Sequence, residues 1–153
     1  MLYYLLEDKR IDVAASCAII VASETPLRPK KLGSLYYIYA PFDDVTQGEG
    51  KLTPQLAHRI VSYYDDISED CEMLFVVCDA GQSRSAAIAA AILKVEGQDN
   101  IEPIWANPKY QPNPHVYRTM CQAFGIQISN LELKRLSGIN TKAYRQAIQS
   151  QKQ

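Results

Sequence analysis

The chain has 153 residues, of which 47% are hydrophobic and 22% are charged. This length and balance are typical of one globular domain and exclude a chain that is disordered throughout. With a formal net charge of −1 and no apolar run long enough for a bilayer, we expect no nucleic-acid partner and no membrane partner.

The N-terminal decapeptide, MLYYLLEDKR, has neither the basic region nor the small-residue cleavage site of a signal peptide. We expect no metal and no cofactor. The four cysteines are not arranged in C-x-x-C pairs, so neither a zinc site nor a disulfide framework is predicted. Both features favour a cytoplasmic protein with reduced thiols.

The first half of the chain predicts two strands and a helix. The runs CAIIVAS (17–23) and LYYIYAPF (35–42) are rich in β-branched and aromatic residues and predict strands. The segment 23–33 contains two prolines and a glycine, which predict a loop. Thr53 followed by Pro54 predicts the start of a helix, with a hydroxyl N-cap and proline in the first turn.

The second half predicts a strand and two further helices. MLFVVC (73–78) is the run most typical of a buried strand, and the alanine-rich stretch 83–97 predicts a helix. The proline-rich stretch 100–113 predicts a connection between elements. A helix is predicted over 114–124, with Asn113 as its N-cap.

Strands that alternate with helices predict an α/β fold with a central, mostly parallel sheet flanked by helices. We interpret residues 1–153 as a single domain, in which 126–153 form either a packed helical extension or a tail. Ligands of such sheets bind beyond the carboxyl ends of the strands. Cys78 is placed at such an end, which makes the turn after it the candidate site.

This turn combines residue types that suit an anion. Backbone N–H groups at a helix start are unpaired and carry positive potential, and Gly81 permits the loop geometry that lets them converge. Arg84 supplies a planar fork for phosphate oxygens. The same groups favour the thiolate form of Cys78, a nucleophile, to which the Ser85 hydroxyl can donate a hydrogen bond.

The sequence CDAGQSRS matches C-x-x-G-x-x-R-[ST] and so resembles the cysteine-dependent protein tyrosine phosphatase superfamily, most of all its small dual-specificity branch and compact bacterial relatives. The resemblance covers about residues 35 to 124. It implies a phosphotyrosine phosphatase-like fold, with Cys78 as nucleophile, Arg84 as phosphate clamp and Ser85 as partner of the thiolate. The backbone that would surround the phosphate belongs to Asp79, Ala80, Gly81, Gln82 and Ser83.

Two further positions bear on the resemblance. Pro112, Asn113 and Val116 are similar to the Pro-Asn-x-x-hydrophobic helix opening of dual-specificity phosphatases, which implies a structural role for Asn113. Val77 is a departure, because the family usually has a hydrogen-bonding histidine immediately before the cysteine.

The family also supplies an aspartate, some thirty residues before the cysteine, that protonates the leaving group and later activates water. Asp43 and Asp44 follow the predicted second strand and meet this requirement. The family pattern favours Asp44 as the acid, and Asp43 remains the alternative.

These features predict a phosphomonoester hydrolase that forms a phosphocysteine intermediate and acts on a phosphorylated protein or a small phosphomonoester. The alternatives are a phosphatase for phosphoinositides or RNA 5′-phosphates and a phosphate-binding module with weak catalysis. An arsenate reductase is disfavoured because its motif lies near the N-terminus. The upstream aspartates argue against a simple binding module, which needs no acid.

Overall fold

The computed structural model describes residues 17–24, 36–71, 73–97 and 101–151. The N-terminal decapeptide and most of the predicted loop over 23–33 lie outside these ranges.

A parallel sheet forms the centre of the described chain. Its strands are β1 (Cys17–Ala22), β2 (Tyr36–Ala40) and β3 (Met73–Cys78). The strand order is β2-β1-β3, and both pairings are parallel. Ala22 pairs with Ala40 on one side and with Cys78 on the other, so the three strands end level with one another. The loops that follow them therefore meet at one edge, as predicted for the α/β fold.

Five helices are described. They are α1 (Pro54–Ile67), α2 (Arg84–Val95), α3 (Glu102–Trp105), α4 (Pro114–Ala123) and α5 (Asn130–Gln151). The predicted caps are confirmed, because Thr53 accepts a hydrogen bond from the Leu56 amide and Asn113 accepts from the Val116 amide. In the ranges given above, none of the helices combines the length and apolar character needed to cross a bilayer.

The side chains of the strands alternate between two clusters. Ile20, Val76 and Cys78 join the main core, in which α1 and α2 lie against one face of the sheet and α4 packs on these two helices. Ile19 and Val77 lie in a second, smaller cluster made by the opposite face. The buried alanines of α2 have small side chains, which let the helix lie close to the sheet. Its first turn follows β3 after a loop of five residues, 79–83.

One region differs from the sequence-based expectation, and in a second region the structure shows a helix where the sequence allows either a helical extension or a tail. The stretch 100–113 contains the short helix α3 in addition to connection, because Pro103 is compatible with the first turn of a helix. The stretch 126–153 contains the helix α5, which buries Leu136 completely. The apolar residues nearer the end of α5 are exposed, Tyr144 by 43% and Ile148 by 37%. The extension is thus helical, and its first half is packed.

Candidate active site

The turn between β3 and α2 places a thiol beside a hydroxyl. Cys78 ends β3 with only 2% of its surface exposed, and Ser85 in the first turn of α2 is equally buried. The sulfur lies 3.1 Å from the Ser85 Oγ, within hydrogen-bonding distance for sulfur. The two side chains meet because the loop between them reverses the chain within six residues.

Gly81 produces this reversal. Its φ of +64° lies in the left-handed region that residues with a Cβ rarely adopt, and its N–H donates to the Cys78 carbonyl over 3.3 Å. Ser83 occupies the N-cap position of α2, but its hydroxyl makes no capping bond. The first N–H groups of α2 are therefore not satisfied by the cap side chain and can serve a bound anion.

Arg84 is held by two groups. Its Nη1 donates to the Phe42 carbonyl over 2.7 Å, and its Nη2 forms an ion pair with the Asp79 carboxylate. Asp79 also accepts a hydrogen bond from Ser23, which follows β1. The guanidinium is buried, and its Nε has no hydrogen-bond partner within the described ranges. The side chain is thus fixed in orientation while one N–H remains to be satisfied, and an unsatisfied buried donor is costly.

The fold ties the Asp44 carboxylate to the turn between β3 and α2. Its Oδ1 accepts hydrogen bonds from Ser83 Oγ and Asn113 Nδ2, each over 2.8 Å. Asn113 Nδ2 also donates to the Val45 carbonyl over 3.3 Å, which holds the next residue of the same loop. Both of these donors bind Oδ1, and neither of them contacts Oδ2 of Asp44. Two hydrogen bonds therefore anchor Oδ1 of Asp44.

Asp43 lies in a different environment from Asp44. Its N–H donates to the Gly50 carbonyl over 2.7 Å, closing the loop between β2 and α1. Its carboxylate lies directly over Gly50, where a Cβ would collide with it. Gly50 has a φ of +81°, so both space and backbone conformation require glycine there. Asp43 is engaged in the structure of its own loop.

The structure brings most of the residues singled out from the sequence to this edge of the sheet. Asp79, Ala80 and Gln82 are exposed and Gly81 is buried, so the loop rim is open to solvent. Val77 lies in the smaller cluster on the opposite sheet face from Cys78.

Sequence reasoning missed two contacts at this site. It assigned only the backbone of Asp79 to the site, whereas the side chain pairs with Arg84. It assigned Asn113 a structural role, whereas the amide also holds Asp44. The Pro-Asn helix opening was the available signal for Asn113.

Within residues 17–24, 36–71, 73–97 and 101–151, no three His, Cys, Asp or Glu side chains converge in a way that could hold a metal ion.

Comparison with known proteins identifies a fold. No protein-family model matches the chain, and no curated protein matches its sequence. Among solved structures, it is similar to the crystal structure of DUSP15, a dual-specificity phosphatase, with a TM-score of 0.53 and 21% sequence identity. The alignment covers 79% of this chain and 77% of that one. The chain has a dual-specificity phosphatase-like fold. The prediction of a parallel sheet flanked by helices is thus confirmed.

Proposed function

We propose that this protein is a cysteine-dependent phosphomonoester hydrolase that acts on phosphoprotein or small phosphomonoester substrates. The observation that supports this most strongly is the arrangement of Cys78, Ser85 and Arg84 in one strand-to-helix turn, with the Asp44 carboxylate anchored to that turn through Ser83. Nucleophile, anion-binding groups and acid are the parts that such a reaction requires.

In the first step, the Cys78 sulfur attacks phosphorus and forms an S–P bond. The bond between phosphorus and the leaving oxygen breaks, and that oxygen takes the proton carried on Oδ2 of Asp44. The Nε–H of Arg84 and the N–H groups at the start of α2 hold the remaining phosphate oxygens, whose charge they stabilise in the transition state. The bonds of Arg84 to the Phe42 carbonyl and the Asp79 carboxylate hold its guanidinium in this orientation, so the side chain need not move during the reaction.

In the second step, water attacks phosphorus and gives its proton back to Asp44. The S–P bond breaks, and its electron pair returns to Cys78 as a thiolate. The Ser85 hydroxyl, 3.1 Å from the sulfur, donates a hydrogen bond that makes the sulfur a better leaving group. Phosphate and the free enzyme remain, so no further reactant is consumed.

Hydrolysis of a generic aryl phosphate in the presence of EDTA tests this function. The wild-type protein is expected to turn over, and Cys78→Ser is expected to be inactive because serine lacks the nucleophilicity of a thiolate. Turnover that survives in Cys78→Ser would rule out the phosphocysteine mechanism. A wild-type protein that hydrolyses no phosphomonoester would rule out the function.

A further inference from the structure

A carboxylate lies inside the turn to which the proposed function assigns phosphate binding. Asp79 follows Cys78 directly, and its Oδ2 forms an ion pair with Nη2 of Arg84. Because Ala22 and Cys78 are partners in the sheet, the residues that follow them lie side by side, and the Ser23 hydroxyl donates a hydrogen bond to Oδ1 of Asp79. The ends of two neighbouring strands thus fix both oxygens of this carboxylate.

The ion pair gives a buried cation its counter-charge. The side chain of Arg84 is only 6% exposed, whereas that of Asp79 is 45% exposed. The other group that holds the guanidinium, the Phe42 carbonyl, is neutral. A buried charge without a partner is costly, so Asp79 stabilises Arg84 in the unliganded protein.

A bound phosphate changes this balance of charge. In the proposed reaction Arg84 and the first N–H groups of α2 hold the phosphate oxygens, so a second anion then lies beside the same guanidinium as the Asp79 carboxylate. Like charges this close repel each other, and the partial exposure of Asp79 reduces the repulsion without removing it. Asp79 therefore favours the empty turn over the occupied one.

The repulsion acts on every anion that occupies the turn. A phosphomonoester, its transition state and the phosphate product all carry negative charge at the same place. An interaction shared by the substrate and the transition state changes KM more than kcat. The same interaction weakens the binding of the product, so phosphate inhibits the enzyme less than it would without the carboxylate.

We propose that Asp79 is a positioning residue that also sets the phosphate affinity of the turn: it orients Arg84, and its charge weakens phosphate binding so that the product leaves. This inference rests on the proposed hydrolase function and specifies how the same site releases its product. A side chain that only oriented Arg84 would have the opposite effect on affinity, because its loss would leave the guanidinium less well placed for phosphate.

The variant Asp79→Asn tests the direction of the effect. The amide oxygen still accepts a hydrogen bond from Arg84, but the negative charge is removed. We expect the Kd of inorganic phosphate, measured by calorimetry, to fall about 5-fold, the upper range for a partly exposed charge pair. The KM for aryl phosphate should fall with it, while kcat should fall about 3-fold because a neutral acceptor holds the guanidinium less firmly. A Kd that rises or stays the same would overturn the proposal.

The variant Asp79→Ala tests the positioning role. It removes the acceptor together with the charge, so its kcat is expected to fall further than that of Asp79→Asn. Equal values of kcat in the two variants would show that Asp79 does not position Arg84 and would overturn that part of the proposal.

Asp66→Asn is the matched control for charge. Asp66 is exposed and lies in the last turn of α1, which leads into Met73 at the opposite end of β3 from Cys78. This variant removes the same charge far from the turn and should leave the Kd of phosphate unchanged. If the Kd falls equally in Asp66→Asn and Asp79→Asn, the net charge of the protein determines the affinity and the proposal is wrong.

Phosphate binding is measured without turnover, which separates this inference from the proposed function. If the wild type hydrolyses aryl phosphate but the Kd of phosphate does not fall in Asp79→Asn, only the assignment of Asp79 fails. If the wild type binds phosphate but hydrolyses no phosphomonoester, the hydrolase function fails, and the role of Asp79 in product release fails with it. A wild type that binds no phosphate would overturn both.

Discussion

Cys78 and Cys121 are both almost fully buried, yet their surroundings differ in chemistry. Cys78 is 2% exposed and lies at the end of a strand, beside a hydroxyl, a glycine turn and the N-terminus of α2. Cys121 is 0% exposed and lies inside α4, where burial raises the pKa of its thiol to about 11. Burial therefore favours the protonated form of the Cys121 thiol. What sets Cys78 apart is its position at the sheet edge, among groups that suit an anion.

The largest expected effect is the loss of kcat in Cys78→Ala, which is compared with the second single variant, Cys121→Ala. Cys78→Ala should lower kcat for aryl phosphate by about 10,000-fold or more, because it removes the nucleophile. Cys121→Ala should keep kcat within about 2-fold and cost about 1 kcal/mol of unfolding free energy. Steady-state kinetics and urea titration measure both quantities. Equal losses of activity in the two variants would contradict the assignment of Cys78 as the nucleophile.

The two adjacent aspartates give the next largest contrast. Asp44→Ala should reduce kcat by about 100-fold or more for an alkyl phosphate, because its leaving oxygen needs a proton. The loss should shrink for a nitrophenyl phosphate, whose leaving group departs without one. Asp43→Ala should change kcat by only a few-fold, since that carboxylate packs on Gly50. If Asp43→Ala is the more damaging on the alkyl substrate, the acid assignment is wrong.

Two variants of Asn113 distinguish its hydrogen bond to Asp44 from its role as the N-cap of α4. Asn113→Ser retains an N-cap oxygen for α4 but removes the amide that donates to Asp44. We expect kcat to fall about 5-fold, the worth of one lost hydrogen bond, with unfolding free energy nearly unchanged. Asn113→Ala loses the cap as well and should be about 1 kcal/mol less stable. If kcat follows stability through both variants, Asn113 acts only as a cap.

The smallest expected effect is on stability in alkaline solution. Burial raises the pKa of Cys121 to about 11 and that of Tyr63 to about 12, so the fold favours their protonated forms. A raised pKa contributes stability that is complete below the unfolded pKa, near 9 for Cys and 10 for Tyr, and is lost as pH rises through the folded value.

Cys121 alone should account for about 2 kcal/mol of the fall in unfolding free energy between pH 8 and pH 11. Urea titrations across this range should therefore show a shallower decline for Cys121→Ala than for the wild type. Parallel curves would mean that the buried thiol does not differ from an exposed one.

The sequence predicts the strand, the glycine turn and the helix start around Cys78 because these are local features within one short stretch. The caps at Thr53 and Asn113 are local too, and both are confirmed. By contrast, Asp44 is joined to Asn113 across 69 positions of the chain, a contact that depends on the packing of α4 against α1 and α2. No local pattern carries such information.

The packing of α5 against the rest of the protein could not be predicted from the sequence either. The stretch 126–153 is helical in spacing but weakly apolar, so its pattern did not decide between a packed helix and a tail. Burial of Leu136 fixes the first half of α5 against the rest of the protein, and this packing lets Asn140 donate to the carbonyls of Trp105 and Tyr110. The exposed position of Tyr144 shows that the apolar spacing farther along α5 did not predict burial.

The most direct test of the central claim is to trap the intermediate. The wild-type protein is mixed with aryl phosphate, quenched in acid within a turnover and digested, and the peptides are analysed by mass spectrometry. The phosphocysteine mechanism predicts phosphate on the peptide that contains Cys78, at a higher level in Asp44→Ala, whose second step is slowed, and none on the peptide with Cys121. Turnover with no phosphate on the protein, or with phosphate on another residue, would contradict the mechanism.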